Sequence, residues 1–408
     1  MSKKVCMVVA YHPFLDARIF KKEAKSLQKM GYDVSMIVPR KNGNLFDIDG
    51  TPFKKSYKNK VFTHEGIKIV TYHNENTRKS LNKVLSSEEV WETEGFNNPL
   101  TNLALAEDAD IYHTHEYLSL FAGVGIKRRM LQEKGKKVKL IYDSHELTPD
   151  PIHPRTSEMK RKTLEEKLLI MLKEVDYLIT VSDSIKDWYL ARMPDLPMEV
   201  IYNSPPLLQD VEPKAYDGNQ LTVGYEGNIA QHKGNKEKIF GISEICSKRL
   251  NFQFKIIGGS QFGNPLKIPQ HLAPIIKQTG WVDYHSIPDH MQAIDIGWID
   301  LEEVHYSLNS DYALPNKFFS YLNNGVPVVV NKCQEMENFI RKHKCGYVIQ
   351  KQQADATDFA NAFLYLKRNP EKLAKMSKNG RKVLEKIYSW EEMEKRLARV
   401  YTKLFPTP

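Results

Sequence analysis

Four segments of this sequence carry residues able to do chemistry, and each lies against a short apolar run, the place where ligands meet open parallel sheets. Ala10 to Arg18 (AYHPFLDAR) is a polar turn offering His12, Asp16 and Arg18. It has none of the glycines of a dinucleotide fingerprint, which argues against NAD or FAD there. Asp110 to Glu116 (DIYHTHE) places His113 and His115 two apart, hence on one side of a strand, with His115 at the strand end beside Glu116. Tyr142 to Glu146 (YDSHE) closes a further strand with His145. A lone strand-end histidine is more often a satisfied structural residue than a catalytic one. Three such sites at three strand ends of one sheet converge on a cleft, where imidazoles beside carboxylates can bind and orient a polar substrate.

The fourth segment suits an anion. Gly224 to Gly234 (GYEGNIAQHKG) follows a strand and leads into a helix, so Gly227, Asn228 and Lys233 offer backbone N–H groups and an ammonium to a phosphate. Further on, Ser310 to Val330 reads as a loop, a helix with Pro315 near its start, a stop at Gly325 and a strand. A helix N-terminus carrying Asn316 and Lys317 is an anion site, while a merely well-capped helix explains the same residues equally well.

The elements that must hold these residues follow from the apolar pattern. Residues 4–10 read as a buried strand, about Ala17 to Met30 as a helix and Asp33–Val38 as a second strand, a βαβ unit that implies a parallel sheet. Residues 40–60 show little periodicity and are expected to form a mobile loop of the kind that makes lids. Strands are expected at Ile67–Tyr72, Ile111–Thr114, Lys139–Asp143, Tyr177–Val181 and Glu199–Tyr202, completing one Rossmann-like domain. Asn203–Gln220 breaks every periodicity and reads as a linker. Strands then recur at Leu221–Tyr225, Phe252–Ile257, Ile294–Ile299 and Val326–Val330, and about Glu371 to Leu404 is helical. The expected domains are 1–204, 205–385 and a closing helix over 386–408.

With 408 residues, 41% hydrophobic and 27% charged, the chain is long enough for two cores and too apolar to be disordered. Lys plus Arg is 59 against 50 for Asp plus Glu, so the net charge of +9 favours anionic partners. That excess is spread over the chain and gathered in no tail, which leaves nucleic acid an unsupported partner. The start lacks a signal-peptide core and no stretch is long enough to span a bilayer, so a cytoplasmic location is expected. Cys6, Cys246, Cys333 and Cys345 are widely spaced and expected to be reduced core thiols. Met159–Val175 has Leu164, Leu168, Met171, Leu172 and Val175 on one side and a basic start. With Lys127, Arg128 and Arg129 it could dock on anionic lipid, or simply face the core with a solvated basic side.

Taken in order, several segments resemble glycosyltransferase family 4, the retaining sugar-nucleotide transferases of the GT-B fold, over nearly the whole chain. They are DIYHTHE, YDSHE, VSDS at Val181–Ser184, IYNSPP ending the first domain, and G-N-x4-K-G. IIGG at Ile256–Gly259, ALPNKFFSYL-x2-GVPVV, the most specific block, and YSWEE at Tyr388–Glu392 complete the set. The resemblance implies an α/β chain of two facing Rossmann-like doubly wound domains, the first binding acceptor and the second the sugar nucleotide, with the closing helix crossing back to the first. It implies a UDP- or GDP-sugar as donor substrate and no further cofactor. Lys233 would hold the diphosphate, supported by Asn316 and Lys317, with Gly227, Asn228, Gly258 and Ser320 around the nucleotide. His115 would stand near the transferred sugar to position it and stabilise charge. His12, Asp16, Arg18, Glu116 and His145 would line the acceptor side, and the acceptor would be a glycan or a lipid-linked or cell-envelope molecule.

Two motifs depart from the family pattern. The E-x7-E pair falls on Tyr312 and Ser320, and the arginine that often follows the glycine at 227 is Asn228. These departures leave a non-catalytic scaffold homologue as an alternative, and a sugar-nucleotide epimerase shares the architecture. Asp108-Ala-Asp110 resembles the metal-binding D-x-D of the other glycosyltransferase fold. It precedes its strand where that motif follows one, so no metal site is expected.

Overall fold

Short runs rich in valine and isoleucine build two sheets, each ordered so that chemistry collects at one edge. The computed structural model describes residues 2–48, 50–53, 57–74, 97–211, 214, 216, 218–229, 235–259 and 265–405. By residue contacts the chain divides into Met1–Ile201 with Glu394–Pro408, and Tyr202–Met393, the changeovers falling at 201/202 and 393/394 against the expected 204/205 and 385/386.

In the first unit the strands are β1 Lys4–Val9, β2 Asp33–Arg40, β3 Val61–His64, β4 Ile67–His73, β5 Ile111–His115, β6 Lys139–Ser144, β7 Tyr177–Thr180 and β8 Met198–Val200. Their order is β3-β4-β2-β1-β5-β6-β7-β8, parallel except that β3 runs against β4. The sequence reading missed β3. Glu65 and Gly66, both at positive φ (47° and 79°), make the two-residue turn that folds it back. Because β2 leaves β1 on one side and β5 joins it on the other, the β1 and β5 ends form the topological switch point where such sheets bind ligands.

The helix expected from about Ala17 is wound more widely at its start: Ile19–Ala24 is a π-helical turn, followed by an α-helical turn over Lys25–Lys29. Residues 40–60, expected as a mobile loop, are tied to the unit at Arg40, Phe53 and Tyr57; Asp49 and 54–56 lie outside the described residues. Arg40 donates to Thr71 Oγ1 at 2.8 Å, Asn59 O at 2.7 Å and Gly43 O at 3.3 Å. Phe53 and Tyr57 pack edge-on against Phe14, with centroids 5.9 and 4.9 Å away.

The second unit holds β9 Gln220–Asn228, β10 Asn251–Gly259, β11 Ile276–Gln278, β12 Ile296–Ile299, β13 Val328–Asn331 and β14 Gly346–Ile349, all parallel in the order β11-β10-β9-β12-β13-β14. β11 and β14 are short and were not read from the sequence. Here the switch point lies between β9 and β12. Trp298, fully buried, centres the core and packs on Tyr225, Phe254 and Phe359 at 5.8, 5.8 and 5.5 Å.

The closing helix Trp390–Leu404 begins in the second unit and finishes in the first, where the Tyr401 hydroxyl lies 3.0 Å from His113 Nδ1. In the helix Glu158–Leu172 the apolar side is spent on the core, with Leu168, Met171 and Leu172 buried. Lys127 pairs with Asp176 and Arg128 with Glu174, which neutralises much of the expected basic surface. No helix among the described residues is long and apolar enough to cross a membrane.

Candidate functional site

In the first unit, the ends of β1, β5 and β6 deliver a layered polar cluster. The period of two brings His113 and His115 to one side of β5, their rings stacked with centroids 4.5 Å apart. Both are fully buried. His115 Nδ1 lies 3.3 Å from Asp143 Oδ2 and 3.4 Å from His145 Nε2. Burial first, then the charges of His145 and Arg18, push His115 down to about 4 against the pull of Asp143, so its ring is neutral at neutral pH.

Arg18 lies inside the cluster and does not line a surface. Its Nε and Nη2 donate to the two oxygens of Asp143 at 2.9 Å each, and Nη1 donates to Ile201 O at 2.7 Å. Its Nε is also 3.0 Å from Glu23 Oε1. Despite burial, the guanidinium holds Asp143 well below the usual carboxylate range. Burial, helped by Asp143 and opposed by Arg18, holds Glu23 well above it. Glu23 was not anticipated from the sequence, although it falls four residues from both Ile19 and Leu27 on the buried stripe of its helix. Asp16, also buried, accepts from the N–H groups of Arg18 (2.8 Å) and Ile19 (3.0 Å) and so fixes the turn after β1.

The layer that reaches solvent is His12, Glu116 and His145, with side chains 27%, 12% and 11% exposed. His12 Nδ1 lies 3.6 Å from Asp16 and its Nε2 3.8 Å from Glu116, which His145 Nδ1 approaches to 3.4 Å. Burial opposes charge on His12, but hydrogen bonding to Asp16 and Glu116 and their charges raise it to about 10. Glu116 sits in the strand-to-helix turn at φ 73°, an unusual conformation for a residue with a side chain, and its N–H donates to Asp143 O at 3.1 Å. Among the described residues two groups have ligand atoms within 4.8 Å of one another, the spacing a metal ion could use: Glu23, His113, His115 and Asp143, and His12, Glu116 and His145. In the first of them Arg18 already supplies the cation to both carboxylates. Asp108 and Asp110 lie at the opposite strand end, where Asp110 accepts the Lys4 N–H at 2.9 Å.

In the second unit the ends of β9 and β10 run side by side as a glycine ledge. Gly227 and Gly258 are register partners at φ 120° and 125°, and a Cβ on Gly258 would stand 2.3 Å from Gly227 O. Only glycine allows the two backbones this close. Beside the ledge starts the helix Asn316–Asn323, whose N-cap is Pro315 with no side-chain cap, leaving its first N–H groups for an anion. Asn316 is exposed there. The Lys317 ammonium lies 4.0 Å from the Tyr225 ring centroid and 3.5 Å from where a Gly227 Cβ would stand. Lys233 lies outside the described residues. Asn228 ends β9, and its carbonyl accepts the Tyr225 hydroxyl at 3.1 Å.

Ser320, one turn into the same helix, is half-buried. Near it stands a carboxylate the sequence reading passed over, Glu226. Burial pushes Glu226 up to about 7, with Lys317 and the Ser320 hydroxyl pulling the other way. Its Oε2 is buried and has no hydrogen-bond partner among the described residues. A second carboxylate, Asp300 just beyond β12, is paired with Lys238 and raised to about 6 by burial.

The model of glycosyltransferase family 4 matches residues 17–204, and the model of glycosyl transferases group 1 matches 220–369. The chain belongs to the family 4 type of glycosyltransferases. No curated relative matches it by sequence. Among solved structures it is similar to a sucrose-phosphate synthase from Thermosynechococcus elongatus, at 15% identity over 99% of both chains with a TM-score of 0.68. The HepE protein of Anabaena, in complex with UDP and glucose, matches at 14% identity over 98% of this chain and all of its own, with a TM-score of 0.67. A Listeria monocytogenes protein described as a UDP-N-acetylglucosamine 2-epimerase matches at 13% identity over 100% and 98%, with a TM-score of 0.57. Likeness at these identities shows a common fold, the GT-B type that this glycosyltransferase shares.

Proposed function

We propose that this glycosyltransferase moves a sugar from a nucleoside diphosphate sugar to a hydroxyl of a glycan, lipid-linked or cell-envelope acceptor, retaining the anomeric configuration and using no divalent metal. The ledge in the second unit carries this reading: the Lys317 ammonium and the uncapped start of the helix Asn316–Asn323 stand beside Gly227, a cationic corner for an anion. A departing diphosphate needs positive charge, and each well-placed donor is worth a few kcal/mol to the transition state. Lys317, the helix N–H groups with Asn316 and, from its place in the motif, Lys233 supply that charge without a metal. UDP is the first base to try, since the similar HepE is solved with UDP, and GDP the second.

In the first unit the acceptor falls to the solvent-reaching layer. Protonated His12 with Glu116 and His145 can bind and orient an acceptor hydroxyl. Neutral, buried His115 acts through His145, as Arg18 and Asp16 act through Asp143 and the turn after β1. The bond from the anomeric carbon to the diphosphate oxygen breaks, the bond to the acceptor oxygen forms on the same face, and the acceptor proton passes to the leaving phosphate. Such a donor is a cytoplasmic metabolite, and Lys160 and Lys162, exposed on the helix Glu158–Leu172, offer contact with an anionic membrane carrying a lipid-linked acceptor; sedimentation with anionic liposomes tests that contact.

The test of the activity is release of nucleoside diphosphate from UDP- and GDP-sugars with and without glycan and lipid-linked acceptors. Release that depends on acceptor supports transfer. Binding without turnover would mean a scaffold, and isomerisation of the sugar nucleotide with no acceptor would mean an epimerase.

A further inference from the structure

We propose that Glu226 reads the ribose of the donor, its carboxylate accepting hydrogen bonds from the 2′- and 3′-hydroxyls of the nucleoside diphosphate, an inference that rests on the donor site proposed above.

Three observations carry it. Glu226 is third from the end of β9 and directly precedes Gly227, so its side chain leaves the strand beside the ledge. Tyr321 pins this spot to the neighbouring helix: its hydroxyl accepts the Glu226 N–H at 3.0 Å and donates to Gly224 O at 2.9 Å. Lys317 and Ser320, one residue before Tyr321, are thereby set around the carboxylate, and they are the polar neighbours that favour its ionised form. Finally, one oxygen of the carboxylate, Oε2, is buried with no hydrogen-bond partner among the described residues.

The ligand chemistry follows from those neighbours. A carboxylate repels phosphate, so it cannot serve the diphosphate, which goes to Lys317 and the helix start. What it takes is a neutral donor close to the phosphates. A vicinal diol is the matching group, since two adjacent O–H donors meet the two oxygens of one carboxylate. Ser320 is a hydrogen-bond neighbour of that carboxylate, so an acid at this position would return the charge from the helix.

The experiment is calorimetric titration of UDP, GDP and ADP into the wild-type protein, then of the 2′-deoxy analogue of whichever binds most tightly, repeated with Glu226→Gln and with Glu226→Gln combined with Ser320→Glu. Hydrogen bonds to a charged group set the scale at roughly 10- to 100-fold in affinity. The wild type is expected to prefer the ribonucleotide by about that factor. Glu226→Gln should shrink the preference by weakening the ribonucleotide more than its 2′-deoxy analogue, which keeps only the 3′-hydroxyl contact, and Ser320→Glu should restore part of it by returning a carboxylate from the helix. Equal binding of both ligands by the wild type overturns the inference without any variant, as does equal weakening of both by Glu226→Gln. If no nucleotide binds the wild type, the donor site itself is wrong and this inference falls with it.

Discussion

Tyr321 fixes the backbone of Glu226 by accepting its N–H at 3.0 Å, and the same hydroxyl donates to the Gly224 carbonyl at 2.9 Å. The ring also covers Gly297, where a Cβ would come within 2.5 Å of it. One buried side chain therefore registers the helix that carries Lys317 and Ser320 against β9. Tyr321→Phe keeps the ring and removes both bonds, leaving buried strand groups unpaired at a cost of about 1–3 kcal/mol. Urea unfolding should show that loss, and nucleotide affinity should fall with it.

Arg18 should matter more to stability than to binding. It donates twice to Asp143 and lies 3.0 Å from Glu23, all three side chains buried. Removing one partner of such a pair leaves uncompensated buried charge and costs about 3–5 kcal/mol. Arg18→Met is expected to lower the unfolding free energy by that order in denaturant titration. A change below about 1 kcal/mol would show the network to be dispensable.

The two strand-end histidines should titrate in opposite directions. His12, raised to about 10 by Asp16 and Glu116 against burial, binds its proton more tightly folded than unfolded. Its stabilisation is full below the unfolded pKa of about 6.5 and fades as pH rises through about 10. His115, pushed to about 4 by burial, is the reverse case: its contribution is intact above about 6.5 and is lost as pH falls toward 4. Imidazole resonances followed by NMR should show His12 protonated and His115 neutral at pH 7.

What the sequence made legible was local and periodic. The spacing of His113 and His115 placed both on one side of β5, and the helix expected after Pro315 starts at Asn316 with Lys317 beside Gly227. Depth was not legible. Strand ends were expected to line a cleft, yet His115 and Arg18 are buried, Glu23 of the π-helical turn lying against both. Glu226 was missed because it interrupts an apolar strand as one polar residue among glycines, and its meaning depends on Ser320, far along the chain. β3 escaped because its four residues show no clean alternation, and β11 and β14 because they are only three and four residues long.

The central claim is that the second unit binds a nucleoside diphosphate through Lys317. The direct measurement is thermal unfolding of the wild type and of Lys317→Ala with UDP, GDP, ADP and dTDP and their sugars. A ligand at 100 times its dissociation constant adds about 2.7 kcal/mol, and a domain of this size gains roughly 2–4 °C per kcal/mol. The account predicts a rise of several degrees with one nucleotide in the wild type and most of it gone in the variant. No rise with any of them, or an equal rise in Lys317→Ala, would contradict it.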